Sequence, residues 1–270
     1  MPWIPELFSE PVLEEWRERH ARQKIVDVPF FDGILADEPD ALVGAFAGEP
    51  TIFDPVRGRI QGAWQLRAYA AEATRWMREN GGVTKDLLIV TTPARGFEEV
   101  VLRSPRVELP IALVADHADD SHLREIRLYY SAHQFLGHRT TRQPLLQPDP
   151  ALDLPPVLAE YFRALADADL DAASAAFAKG GTLRTADGLV HSDLHGLHAA
   201  VCRAGGLVMD PCSLCGDGRH VAMEYNVLRL SDQRTPPQAG VAIFDLEPGG
   251  ARITAARIYD DIELPALSQP

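Results

Sequence analysis

Two stretches of this chain, about 130 residues apart, carry matching residues in a nearly constant register, and this limits the fold more than any other feature. At an offset of 131, Phe31 matches Phe162, Asp40 matches Asp171 and Ala41 matches Ala172. The same offset pairs Ala45-Phe46-Ala47 with Ala176-Phe177-Ala178, Thr51 with Thr182, Leu66 with Leu197 and Ala68 with Ala199. Towards the end of each stretch the offset slips by one, pairing Arg127 with Arg257 and Tyr129 with Tyr259. A register held from a helix to a final strand is not chance scatter. The period lies far beyond the roughly 20–50 residues of a solenoid repeat and has the length of a small domain. The chain reads as two fused copies of one fold.

Its 270 residues allow one or two domains on length alone, and the repeat decides for two. A formal net charge of −13 and a sequence pI near 5.1 argue against a nucleic-acid or anionic-membrane surface, because phosphates would be repelled. No apolar run approaches the roughly 18 residues of a membrane helix. The N-terminal residues lack the basic start and apolar stretch of a signal peptide, so a cytoplasmic protein is expected. Three cysteines do not make a disulfide framework.

Hydrophobic spacing predicts helices over Pro11–Lys24, Pro39–Ala47 and Gly62–Asn80, the last closed by Gly81-Gly82. A strand is expected at Thr51–Asp54, and four more at Asp86–Thr92, Phe97–Arg103, Val107–Ala115 and Leu123–Tyr130. Residues 142–156 hold five prolines and read as a semi-rigid linker between a first domain, 1–141, and a second, 157–270. The second domain repeats the order. Its expected helices are Val157–Ala166, Asp169–Ala178 and His195–Ala204. Its expected strands are Thr182–Thr185, Leu207–Leu214, Arg219–Leu230, Ala239–Leu246 and Ile253–Asp260. Helices first and antiparallel strands afterwards give an α+β architecture, with helices on one face of a curved sheet.

This order, with Asp40–Ala47, Thr51–Pro55, Gly62 and Ile126–Tyr130 in the first half, resembles the nuclear-transport-factor-2-like superfamily. Tyr161–Leu165, Asp171–Phe177 and Ala256–Asp261 carry the resemblance in the second half. That group includes ketosteroid isomerase, limonene-type epoxide hydrolases and SnoaL-like polyketide cyclases. The resemblance implies two tandem cones, each enclosing an apolar pocket, arranged as an intramolecular pseudo-dimer that leaves room for further homo-oligomerisation.

Asp54 falls where the isomerase carries its general base. Strand alternation puts it on the face of Ile52, where apolar walls would raise its pKa. An Asp before Pro also serves to turn a chain. Tyr130 shares the face of Ile126 and Leu128 and is a candidate donor to a developing oxyanion. Tyr161 matches the isomerase's oxyanion-hole tyrosine, where the first half has Phe30. The second half has Thr185 in place of Asp54, so its pocket would turn to Asp260, on the face of Ala256 and Ile258. The isomerase's second oxyanion donor falls near Ala112 and Ala242, which argues against steroid isomerisation. By parity, Arg127, Arg257, Glu224 and Asn226 lie on the outer face, the two arginines pairing with acids between the halves. Cys212 and Cys215 stand three apart on a strand and would not converge on a metal. His133 and His138 follow the last strand of the first half.

With no phosphate loop, nucleophile elbow or dinucleotide fingerprint, the sequence points to cofactor-independent acid–base chemistry on an apolar, oxygenated small molecule. The resemblance suggests a cyclase or isomerase of bacterial natural-product biosynthesis. Epoxide opening and non-catalytic ligand binding are the alternatives. No nucleic-acid, membrane or metal partner is expected.

Overall fold

The computed structural model describes residues 34, 39–119, 122–230 and 233–262, which divide into two compact units between Leu128 and Tyr129. The helix expected over Pro11–Lys24 lies outside the described residues, as does Phe30.

The first unit runs α1 (Pro39–Gly44), β1 (Thr51–Asp54), β2 (Gly58–Gln61), α2 (Gly62–Asn80), β3 (Val83–Thr91), β4 (Arg95–Arg103), β5 (Glu108–His117) and β6 (Leu123–Tyr129). Its sheet order is β2-β1-β6-β5-β4-β3. The second runs α3 (His133–Leu136), α4 (Pro156–Ala166), α5 (Leu170–Ala175), β7 (Phe177–Arg184), β8 (Val190–His191), α6 (Leu194–Arg203), β9 (Leu207–Gly216), β10 (His220–Leu230), β11 (Gln233–Leu246) and β12 (Ile253–Tyr259). Its order, β8-β7-β12-β11-β10-β9, is that of the first sheet strand for strand.

The repeat also fixes register. In the first sheet Ile52 pairs with Ile126 in the parallel β1–β6 ladder and with Ile60 in the β1–β2 hairpin. Its match in the second sheet, Leu183, pairs with Ala256 and with His191. The α+β duplication read from the sequence is therefore present down to individual ladder partners. No helix among the described residues is long and apolar enough to cross a membrane.

Local chemistry accounts for most boundaries. In α2, Leu66, Ala70, Thr74 and Met77 form one buried stripe, and Gly81 ends the helix in the left-handed conformation with its N–H on Met77 O. Helix α4 starts on Pro156, where a missing N–H costs nothing. Asp169 and Asp193 cap α5 and α6 by accepting from Ala172 and Gly196 N–H. Helix α5 stops at Ala175, short of the expected Ala178, because the carbonyl of Ala176 already accepts from Ile253 N in the parallel ladder. Strand β7 accordingly starts at Phe177, earlier than the alternation suggested. The short strands β2 and β8 and the helix α3 were not expected.

In the second unit, apolar residues of α4 and α6 cluster with the face of the sheet carrying Met223, Tyr225, Val227, Phe244 and Ala256. The opposite face is held differently. Residues of the proline-rich stretch run beside it: Asn226 Nδ2 donates to Leu146 O, and Asp149 N donates to Pro211 O. Asn226 thus has the structural role its parity suggested. Cys212 is the extra residue of a bulge opposite Glu224 and Tyr225, and Cys212 and Cys215 are both buried.

Arg127 and Arg257 find acids inside their own sheets, whereas partners between the halves were expected. Arg127, with no exposed side-chain surface, donates to Asp116 at 2.8 Å and also reaches Glu125. Arg257 donates to both oxygens of Asp245 at 2.7 and 2.8 Å. Both pairs join adjacent strands, and Arg257 and Asp245 are diagonal neighbours in their ladder, close enough for long side chains to meet. Burial pushes the Asp116 carboxyl up, but the hydrogen bonds and charges of Arg127 and Arg95 outweigh it and hold the group below its ordinary value. That contribution to stability is complete above the unfolded carboxylate's pKa and fades as pH falls through the depressed folded value. Removing the acid takes one of two carboxylates from a fully buried guanidinium. Asp116→Ala should cost about 3 kcal/mol in urea unfolding, and Asp245→Ala, at a more exposed pair, about 1 kcal/mol. Equal losses at the two positions would contradict this assignment.

Candidate functional site

The second unit holds a cavity of about 330 Å³, within the range of small-ligand sites. Apolar side chains from α4, α6 and the sheet, among them Phe162, Leu197, Val201 and Phe244, make up most of its wall. A few polar groups interrupt them: Tyr161, Tyr225, His198 and Asp260 inside, with Arg139, Thr185, Asp187 and His191 also on the lining.

Asp260 directly follows β12 and continues the inward face of Ala256 and Ile258. Its Oδ2 accepts from the Tyr225 hydroxyl at 2.8 Å and its Oδ1 from Ile262 N at 3.0 Å. Tyr225 belongs to β10, two strands away, and the intervening residue on β11 is Gly240, its ladder partner. A Cβ at Gly240 would lie 2.7 Å from the Tyr225 ring. The missing side chain is what lets the ring cross β11 and bring its hydroxyl to Asp260.

Burial dominates the electrostatics. It raises Asp260 to about 6, against the partial relief of the Tyr225 and Ile262 hydrogen bonds and the Arg139 charge. Burial, and then the nearby Asp260 charge, push Tyr225 well above its ordinary value. Burial also raises Tyr161, with a further contribution from Cys202. It lowers His198 to about 4, helped by the charge of His195, so the imidazole is neutral at neutral pH. Asp187 stays ionised: burial opposes its charge, but the Thr185 hydroxyl and Leu189 N–H outweigh it.

Of the four residues expected to carry chemistry, Tyr161 and Asp260 line this cavity. Asp54 and Tyr130 do not. Asp54 is buried in the first unit, where Oδ1 accepts from Val56 N and Arg57 N and Oδ2 accepts from the Tyr69 hydroxyl at 3.0 Å. These bonds close the β1–β2 turn and tie it to α2, the turn-forming use of an Asp-Pro pair. The second unit assigns that work to Asp187, which accepts from Thr185 Oγ1 and Leu189 N in the β7–β8 turn. Tyr130 follows β6 and packs edge-on against Phe135, with ring centroids 5.8 Å apart. His133 and His138 are exposed and also lie off the cavity.

Sequence reading missed His198, Gly240 and the pairing role of Tyr225. The spacing Leu194, Leu197, His198, Val201 does put His198 on the apolar stripe of α6, a signal that could have singled it out.

No family model matches the chain, and no curated protein matches it. Solved structures do. Among them are NTF2-like proteins, the superfamily that the sequence resembles. A putative polyketide cyclase from Sinorhizobium meliloti is 26% identical at a TM-score of 0.34, covering 39% of this chain and 95% of that one. An LEH-like epoxide hydrolase from M. tuberculosis is 20% identical at a TM-score of 0.35, covering 40% and 81%. A protein with a ketosteroid isomerase-like fold from Catenulispora acidiphila, solved with trimethylamine, is 21% identical at 0.33, covering 43% and 98%.

Two predictions follow from the geometry at Asp260. Gly240→Ala should displace the Tyr225 ring and cost about 1–3 kcal/mol, as overpacking does; an unfolding midpoint equal to the parent's would refute the crossing. The folded pKa of Asp260 lies above its unfolded value, so its burial destabilises the fold increasingly as pH rises from about 4 to about 6, then by a constant amount. Asp260→Asn should therefore gain about 2–3 kcal/mol relative to the parent across that window. A stability difference that stays flat from pH 4 to 7 would show the carboxyl to be ordinary.

Proposed function

We propose that this protein is an acid–base enzyme of cyclase or isomerase type, working on an apolar, oxygenated small molecule in the second unit's cavity with Asp260 as the base. The reading rests on one observation: a buried carboxyl with its pKa raised to about 6 sits in a mostly apolar cavity, beside hydroxyl groups that can face a ligand oxygen. An acid poised near neutral pH is the form a general base takes when it must both accept and return a proton.

The chemistry is as follows. A substrate carbonyl oxygen sits within reach of the Tyr161 hydroxyl, and the adjacent C–H faces Asp260. The C–H electron pair moves into the C–C bond as the proton passes to the carboxylate, giving an enolate whose oxygen takes a hydrogen bond from Tyr161. In an isomerisation, the proton returns from Asp260 to a different carbon. In a cyclisation, the enolate carbon bonds to a second carbonyl carbon, and the proton goes to the resulting alkoxide. Tyr225 stays neutral throughout and holds Asp260 in place. Asp54 is given no part in this chemistry, since it does not line the cavity. The apolar lining favours a substrate with little charge, and the ionised Asp187 disfavours anions.

The test needs no knowledge of the product. Exchange of α-hydrogens for deuterium, followed by NMR on a panel of apolar cyclic ketones and β-diketones in D₂O, reads the first step alone. Asp260→Asn should slow exchange at least about 100-fold, while Asp54→Asn should change it less than about threefold. The exchange rate should rise with pH to a plateau, with a midpoint near 6. Exchange by the parent that survives in Asp260→Asn would remove Asp260 from the reaction. No exchange with any ketone would favour a ligand-binding role for the cavity.

A further inference from the structure

Tyr161, His198 and Ser174 come from three different helices, α4, α6 and α5, yet their polar atoms form a single file that ends at the cavity. The Tyr161 hydroxyl lies 3.2 Å from His198 Nε2, and His198 Nδ1 lies 3.4 Å from Ser174 Oγ. Tyr161 is 4% exposed and His198 is 1% exposed, so among the described residues each side chain has little to bond with except the next in file.

A neutral imidazole carries one N–H, which allows two arrangements. With the proton on Nδ1, His198 donates to Ser174, and Nε2 accepts the phenol proton. Tyr161 then shows the cavity only lone pairs. With the proton on Nε2, His198 donates to the phenol oxygen and Ser174 donates to Nδ1. The Tyr161 proton is then free to turn into the cavity, and accepting a bond from His198 makes it a stronger donor. A carbonyl oxygen or an enolate has no proton to give, so it is served only by the second arrangement. The imidazolium form is excluded by burial, which keeps His198 neutral well below neutral pH.

From this file we infer that His198 is a positioning residue for Tyr161: when an acceptor oxygen occupies the cavity, the imidazole proton sits on Nε2 and aims the phenol proton at that oxygen. Ser174 completes the device by donating to Nδ1. The inference rests on the reading of the cavity as a site for a carbonyl compound and assigns the donor in that site. His198 touches no reacting atom; it sets which way the tyrosine proton points.

The probe is 1-indanone, an apolar ketone with no acidic O–H or N–H to donate. In the ¹⁵N spectrum of histidine-labelled protein saturated with 1-indanone, the signals lost in His198→Gln should report an imidazole protonated on Nε2. The carbonyl stretch of the bound ketone should shift to lower frequency in the parent and in His198→Gln, whose amide N–H can replace Nε2–H. It should not shift in Tyr161→Phe, and it should shift less in His198→Leu, where the phenol donates without the polarising bond from His198. Affinity should fall about tenfold in His198→Leu and less than about threefold in His198→Gln, the size of one hydrogen bond. A ketone-saturated protein with His198 protonated on Nδ1, or equal affinities in the Leu and Gln variants, would overturn the inference while leaving the acid–base reading intact. Failure of the parent to bind 1-indanone would sink both. Should His198→Leu not fold, the tautomer seen in the parent protein decides alone.

Discussion

The hydrogen bond between Tyr225 and Asp260 is the constraint on which the second unit's chemistry depends. It spans three adjacent strands, so it exists only if β10, β11 and β12 keep one register. A slip of one residue would turn Asp260 to the other face of the sheet, or bring Ala239 or Val241 in place of Gly240 opposite the tyrosine. The bond also makes burial of the acid tolerable, since a carboxyl without partners in an apolar cavity is far more costly. Sheet register, one glycine and one tyrosine thus together decide that an acid can sit in this cavity with its pKa near 6.

The two units show what duplication preserves and what it releases. Both keep an arginine of the last strand paired with an aspartate of the neighbouring strand, Arg127 with Asp116 and Arg257 with Asp245. Both keep the parallel pairing that joins the first strand to the last. The polar residues on the inner faces have diverged. Position 54 of the first unit bears an acid bound up in its own turn, whereas the matching Thr185 cedes that turn to Asp187 and lines a cavity. Scaffold contacts are repeated, and the groups available for chemistry are not.

Much of the scaffold was legible because its signals are local. The stripe of α2 and the glycine after it gave that helix its limits, and strand parity put Asp260 beside Ala256 and Ile258 on the inner face. The same parity reasoning ranked Asp54 first, and Asp54 is indeed buried on the face of Ile52, with its oxygens bonded inside its own unit. Parity says which face a side chain takes but not whether the turn's own N–H groups have already claimed its oxygens. Gly240 was illegible because its importance lies in a ring arriving from a neighbouring strand, a contact between residues distant in sequence. His198 could have been found on the apolar stripe of α6, but its partners come from two other helices. The early start of β7 depends on Ile253, a ladder partner far along the chain that no local window contains, whereas β2 and β8 pair in hairpins with β1 and β7 and are too short to show alternation.

The ionisation of Asp260 in the ligand-free protein gives the most direct check, because it requires neither substrate nor assay. Carboxyl-¹³C NMR of aspartate-labelled protein, with Asp260 assigned by its loss in Asp260→Asn, yields its titration directly. A midpoint close to 6, moving upward when 1-indanone fills the cavity and displaces water, agrees with a dry acid facing the ligand. A midpoint at or below about 4, the value of an exposed aspartate, would mean that the carboxyl is solvated and that the cavity has no base.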